Sequence, residues 1–164
     1  MLAEYVSWIL GNFDMSMFIL AIVFIIFHRI MIRKGISNAE IVYRWLMLFE
    51  LGFTGVYAFI MHAFFPDLTS SSMGWPMSPF QMEVAMANLG FAAIAILSFN
   101  ASYGFRLAAV IANTFWLWGG SLGHMYQMMQ YQHYSLVDVG SWFWMDMLTP
   151  VILIICIIQK THCA

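Results

Sequence analysis

Glu50, Glu83 and Asp146 are carboxylates set within long apolar runs, and His62 and His124 are imidazoles in the same kind of setting. A charged side chain in hydrocarbon costs about 2.5 to 3.5 kcal/mol on insertion scales, so such groups are shielded by neighbouring helices and commonly serve a function. Glu50 falls mid-run, whereas His62, Glu83, His124 and Asp146 fall near run ends that belong to one side, with Asn88 and Asn113 deeper. Carboxylates and imidazoles projecting from facing helices are what a divalent metal site or a proton-coupled redox site needs. The expected site is therefore Glu83, His124 and Asp146, joined by His62 or Glu50. The same residues equally suit interhelical hydrogen bonds that lock packing.

Helical rotation limits which of these groups share a face. At about 100° per residue, Asn113 and His124 differ by a net rotation of about 20° and lie on one stripe. Asn88 is turned about 140° from Glu83, and Glu50 about 120° from His62, so these pairs serve separate contacts unless a helix bends near Gly52 or Gly55. A haem held by His62 and His124 ranks below the polar-site readings, because other residues crowd the same depth.

Methionine offers a second chemistry. The chain has 15 Met, and thioethers combined with imidazole bind Cu(I). Met125, Met128 and His133 follow His124 closely and form the copper candidate, although Met is also a flexible apolar filler. No phosphate-binding loop, dinucleotide fingerprint, nucleophile elbow or His-Glu-x-x-His pattern occurs.

These residues need membrane helices to hold them. The chain of 164 residues is 63% hydrophobic and 9% charged, with a mean hydropathy of +0.82, outside the range of water-soluble domains. Seven Trp and seven Tyr suit the two bilayer interfaces, where amphipathic rings settle. The net charge of −2, with no basic patch, argues against nucleic acid as a partner. A span needs about 20 apolar residues, which predicts five transmembrane helices near 13–32, 41–64, 80–99, 103–125 and 141–158. The fold class expected is all-α, a single polytopic transmembrane domain over 1–164. The first run reads as a retained helix, since Arg29, Arg33 and Lys34 follow it in place of a cleavage site.

Arg29, Arg33, Lys34, Arg44, Arg106 and Lys160 all fall on one side if the chain alternates through five helices. Cytoplasmic loops carry an excess of Lys and Arg, which predicts an N-terminus outside, a C-terminus inside and the His62 and Asp146 ends facing outward. Cys156 and Cys163 then lie at the reducing side, so no structural disulfide is expected. Asn38 is the expected cap of the second helix, and Ser78 or Pro79 begins the third. Gly119 and Gly123 form a small-xxx-small pair suited to close helix packing within the chain or to an oligomer.

The stretch from Gly52 to His62, the outer loop with Pro66, the Phe80 to Glu83 segment, Asn88 to Gly90 and the Phe105-Arg106 start of the next helix resemble the DoxX-like group of small bacterial membrane proteins. The resemblance covers about half the chain. It implies a multi-pass protein of the bacterial inner membrane built on a four-helix bundle, a group of which some members are associated with larger quinone-linked or thiol-redox complexes and many have no known activity. The additional helix, the Trp116 to His124 segment and the methionine content depart from that group. The leading expectation is a redox-associated or metal-binding accessory subunit taking a divalent metal, copper or a quinone. A proton- or ion-conducting channel or transporter component is the alternative, followed by a structural assembly factor.

Overall fold

The computed structural model describes residues 2–32, 35–131 and 140–161. Every regular element among them is helical. A short α1 (Leu2–Gly11) leads through Asn12 into α2 (Phe13–Met31). The next crossing runs without interruption from α3 (Asn38–Trp45) through a π-helical segment (Leu46–Phe53) into α4 (Thr54–Phe64). After α5 (Pro66–Met73) come α6 (Gln81–Leu97), a 3-10 turn (Ser98–Asn100), α7 (Tyr103–Tyr131) and α8 (Ser141–Thr161).

Four of these helices, Phe13–Met31, Asn38–Phe64, Gln81–Asn100 and Ser141–Gln159, are long and apolar enough to cross a membrane. The chain is therefore a multi-pass membrane protein by the length and composition of its helices. The fifth expected span coincides with α7, whose 29 residues give ample length but not the apolarity. Arg106, Asn113, Thr114, Ser121, His124 and four glycines dilute its hydrophobic content.

Local sequence explains the ends. Ser37, not Asn38, caps α3, its hydroxyl accepting from the Glu40 N–H at 3.2 Å. The Ser-x-x-Glu spacing is that of a capping box, but the Glu40 side chain turns to arginines instead. Residues 66–73, expected as loop, form a helix because Pro66 is preorganised for its first turn and Gly74, at φ 68°, supplies the left-handed stop. The α6 start is Gln81, with Ser78 Oγ accepting from the Phe80 N–H.

The bundle is tightly packed in one half. Tyr43, Leu46, Met47, Ala95, Val110 and Leu153 are buried together there. Trp45 anchors this half, with ring centroids 4.9 Å from Phe24 and 5.4 Å from Phe99, and donates to His28 Nδ1 at 3.2 Å. Arg106, 2% exposed, binds Glu40 at 2.6 Å and the Ser98 and Phe99 carbonyls at 3.0 and 2.7 Å. It thereby caps the end of this crossing, adding to the Ser98 carbonyl, which also accepts from the Ala101 N–H at 3.2 Å, and bonding the Phe99 carbonyl. Arg44 joins the same Glu40 at 2.7 Å. Cys156 is buried and free; Cys163 lies outside the described residues.

Candidate functional site

The other half of the bundle encloses a partly open cavity of about 600 Å³. Small residues shape it. A Cβ on Gly55 would lie 2.9 Å from Ala92 Cβ and 3.2 Å from the Asn88 carbonyl, so α4 and α6 pack at glycine distance. On α7, by contrast, a Cβ on Gly119, Gly120 or Gly123 would meet nothing within 4 Å. The Gly119/Gly123 pair thus lines the cavity and makes no close helix contact among the described residues.

Three carboxylates face this space from three helices: Asp14 of α2, Glu50 of the π-helical segment and Asp146 of α8. They lie close enough to interact electrostatically, and among the described residues no Lys or Arg lines the wall. Asp14 is 1% exposed and Glu50 4% exposed. Ser141 donates to Asp14 Oδ1 at 2.9 Å, while Thr149 reaches Glu50 Oε1 only at 3.5 Å. Asp14 Oδ2, Glu50 Oε2 and the Thr54 hydroxyl are buried with no hydrogen-bond partner. Unpaired polar atoms at such depth are costly and are uncommon in native structures.

The helices are built irregularly where the acids sit. Glu50 lies in a π turn, an irregularity that recurs at functional sites. A π turn spends more residues per revolution than an α turn, which reduces the rotation between Glu50 and His62, and both line the cavity. Pro150 lies inside α8 and has no N–H to offer the Asp146 carbonyl four residues earlier. Asp14 stands in the first turn of α2, directly after the break at Asn12.

Aromatic side chains complete the wall in fixed positions. Trp142 donates to the Gly11 carbonyl at 3.0 Å and its ring stacks on Tyr57 at 6.3 Å. Trp116 donates to Asn88 Oδ1 at 3.2 Å and stacks on Phe91 at 5.1 Å. At the far end His124 stacks on Trp75 at 5.1 Å. His62 Nδ1 pairs with Gln81 Oε1, and Gln81 in turn donates to Ser70 Oγ at 2.8 Å.

The sequence-derived set is thus divided. His124, Asp146, Glu50, His62, Asn88 and Asn113 all line the one cavity, with Asn113 donating back to the Ala109 carbonyl at 2.9 Å. Glu83 does not: it lies on the exposed face of α6, because its rotation about the helix turns it away from the bundle. Glu83, His124 and Asp146 therefore do not assemble as a ligand set. Among the described residues no group of three or more His, Cys, Asp or Glu is arranged to hold a metal ion. Met125 is exposed, Met128 half-buried, and neither lines the cavity; His133 lies outside the described residues. Asp14 was missing from the expected set. Its signal was available, since it is the only acidic residue within 13–32.

The chain belongs to a family of unknown function, DUF6790, which matches residues 11–164. That range begins at the break before α2 and includes the whole cavity wall. No curated protein and no solved structure matches the chain. The family match supplies no link to the DoxX-like group.

Proposed function

We propose that this protein is a cation-handling component of membrane transport, binding a proton or another cation in the acidic cavity within the bilayer. One observation carries the reading. Asp14, Glu50 and Asp146 converge on a space whose wall carries no Lys or Arg among the described residues, and two of them keep a buried carboxylate oxygen unpaired. Like charges packed at membrane depth require a compensating positive charge, whether protons or a bound cation. The half-buried His62 and His124 and the amides of Asn88 and Asn113 extend the polar lining along the cavity. The alternative as a redox or metal-binding accessory subunit has less support, since its expected ligands diverge.

The reading includes five crossings, with α7 as the fifth. At 29 residues α7 spans more than the hydrocarbon thickness, and Arg106, Asn113 and Ser121 are buried in the bundle, not turned to lipid. The end bearing Arg29, Arg44, Arg106 and Lys160 then faces the cytoplasm of a bacterial inner membrane, and the His62 end faces outward.

The test is proton or cation flux. Purified protein in lipid vesicles, under an inside-negative potassium diffusion potential, is expected to acidify the lumen as read by an entrapped pH dye. Glu50→Gln is expected to slow that response by roughly tenfold or more, as removal of the mid-membrane charge implies. Rates equal to those of empty vesicles, for protein shown to be folded, would overturn the reading.

A further inference from the structure

The cavity wall points to a particular class of cation. The three carboxylates line the space but, among the described residues, do not form a group of three that could hold one metal ion, and the cavity of about 600 Å³ is the size of sites that take drug-sized molecules. The lining is mainly apolar and aromatic. Trp142 and Asp146 are one turn apart on α8, so an indole and a carboxylate rise from the same helix face. The indole of Trp142 is held by its bond to Gly11 and its stacking on Tyr57. A fixed aromatic ring beside a desolvated acid is the combination that attracts an organic cation, through the ring quadrupole and the opposite charge together.

The open side is consistent with an amphipathic guest. Phe115 lines the cavity yet is 78% exposed, and the adjoining glycines of α7 leave their surroundings clear. The exposure of Phe115 at the cavity wall would give a guest with apolar bulk a lipid-side approach to the acids.

We infer that the cavity binds lipophilic organic cations, with the positive centre beside Glu50, Asp14 and Asp146 and the apolar body against Trp142 and the α7 wall. This rests on the cation-handling reading above and specifies its substrate class. The two deeply buried oxygens without partners, Asp14 Oδ2 and Glu50 Oε2, would face the guest's charge.

The experiment is equilibrium binding of tetraphenylphosphonium to the purified full chain in detergent, with uncharged triphenylphosphine oxide as the comparison. Saturable binding is expected for the cation, and the neutral compound should not displace it. Glu50→Gln and Asp146→Asn should each weaken binding by roughly tenfold or more, because the counter-charge is lost. Trp142→Leu should weaken it about fivefold while Trp142→Phe largely restores it, as a ring-face interaction requires. Size-exclusion profiles matching the wild type establish that each variant is folded. Equal competition by the neutral compound, or unchanged binding in both acid variants, overturns the inference. Wild-type protein that shows the vesicle pH response but no saturable binding also overturns it, while leaving the cation-handling reading intact.

Discussion

Ser141 donates a 2.9 Å hydrogen bond to Asp14, joining the first turns of α8 and α2 at the edge of the acidic cavity. The bond fixes one oxygen of Asp14 and leaves the other, Oδ2, buried and unpaired. A residue that would otherwise read as an ordinary acidic first-turn residue thus becomes part of a three-carboxylate wall.

Asp14→Asn and Asp14→Ala should separate structure from function at this position. Asparagine can still accept from Ser141, so its thermal midpoint should remain near that of the wild type, while vesicle acidification falls. Alanine removes the 2.9 Å acceptor and leaves the Ser141 hydroxyl only its longer 3.4 Å bond to Asn12 Oδ1, which should cost about 1 kcal/mol. Melting curves of the two variants that coincide would contradict the assigned hydrogen bond.

Glu50→Leu should trade function for stability. Replacing a buried, incompletely paired acid among like charges with an apolar side chain is expected to raise stability by about 1–4 kcal/mol. The thermal midpoint in detergent should rise and the pH response should disappear. A lower midpoint would mean that Glu50 stabilises the bundle, contrary to the unpaired state of its Oε2.

Gly55 and Gly90 should respond oppositely to alanine. At Gly55 the added methyl meets Ala92 Cβ at 2.9 Å and the Asn88 carbonyl at 3.2 Å, whereas at Gly90 it meets nothing within 4 Å. Gly55→Ala should therefore cost about 1–3 kcal/mol through overpacking, and Gly90→Ala should be neutral or stabilising by up to about 1 kcal/mol through helix propensity. Thermal unfolding of the two variants side by side decides it.

Arg106→Lys should damage the packed end despite keeping the charge. Lysine cannot reproduce the planar fork that reaches Glu40, Ser98 and Phe99 together, and a loss of about 2–3 kcal/mol is expected. Retention of wild-type stability would show that the charge alone suffices.

The proposed orientation predicts which loops an impermeant reagent can reach. In a Cys156→Ala, Cys163→Ala background, Ser71→Cys should react with a membrane-impermeant maleimide on intact cells, and Ser102→Cys only after permeabilisation. Both positions are exposed in the fold. The reverse pattern would invert the assigned topology.

Composition and run length suffice to name lipid as the solvent and to locate the long helices within a few residues, because a bilayer of fixed thickness demands a fixed length of apolar chain. The positions of Glu50, His62, His124 and Asp146 along their helices were likewise legible. Rotation about each helix was not. Glu83 has the right depth but the wrong face, and one residue turns a side chain by about 100°, so a small error moves an acid from bundle to lipid. The π turn that brings Glu50 onto the wall shared with His62 depends on packing between helices, as does the approach of Ser141 to Asp14 across 127 positions. Depth is a property of distance along one helix, whereas convergence on a cavity depends on how several helices are turned toward one another, which tertiary packing alone decides.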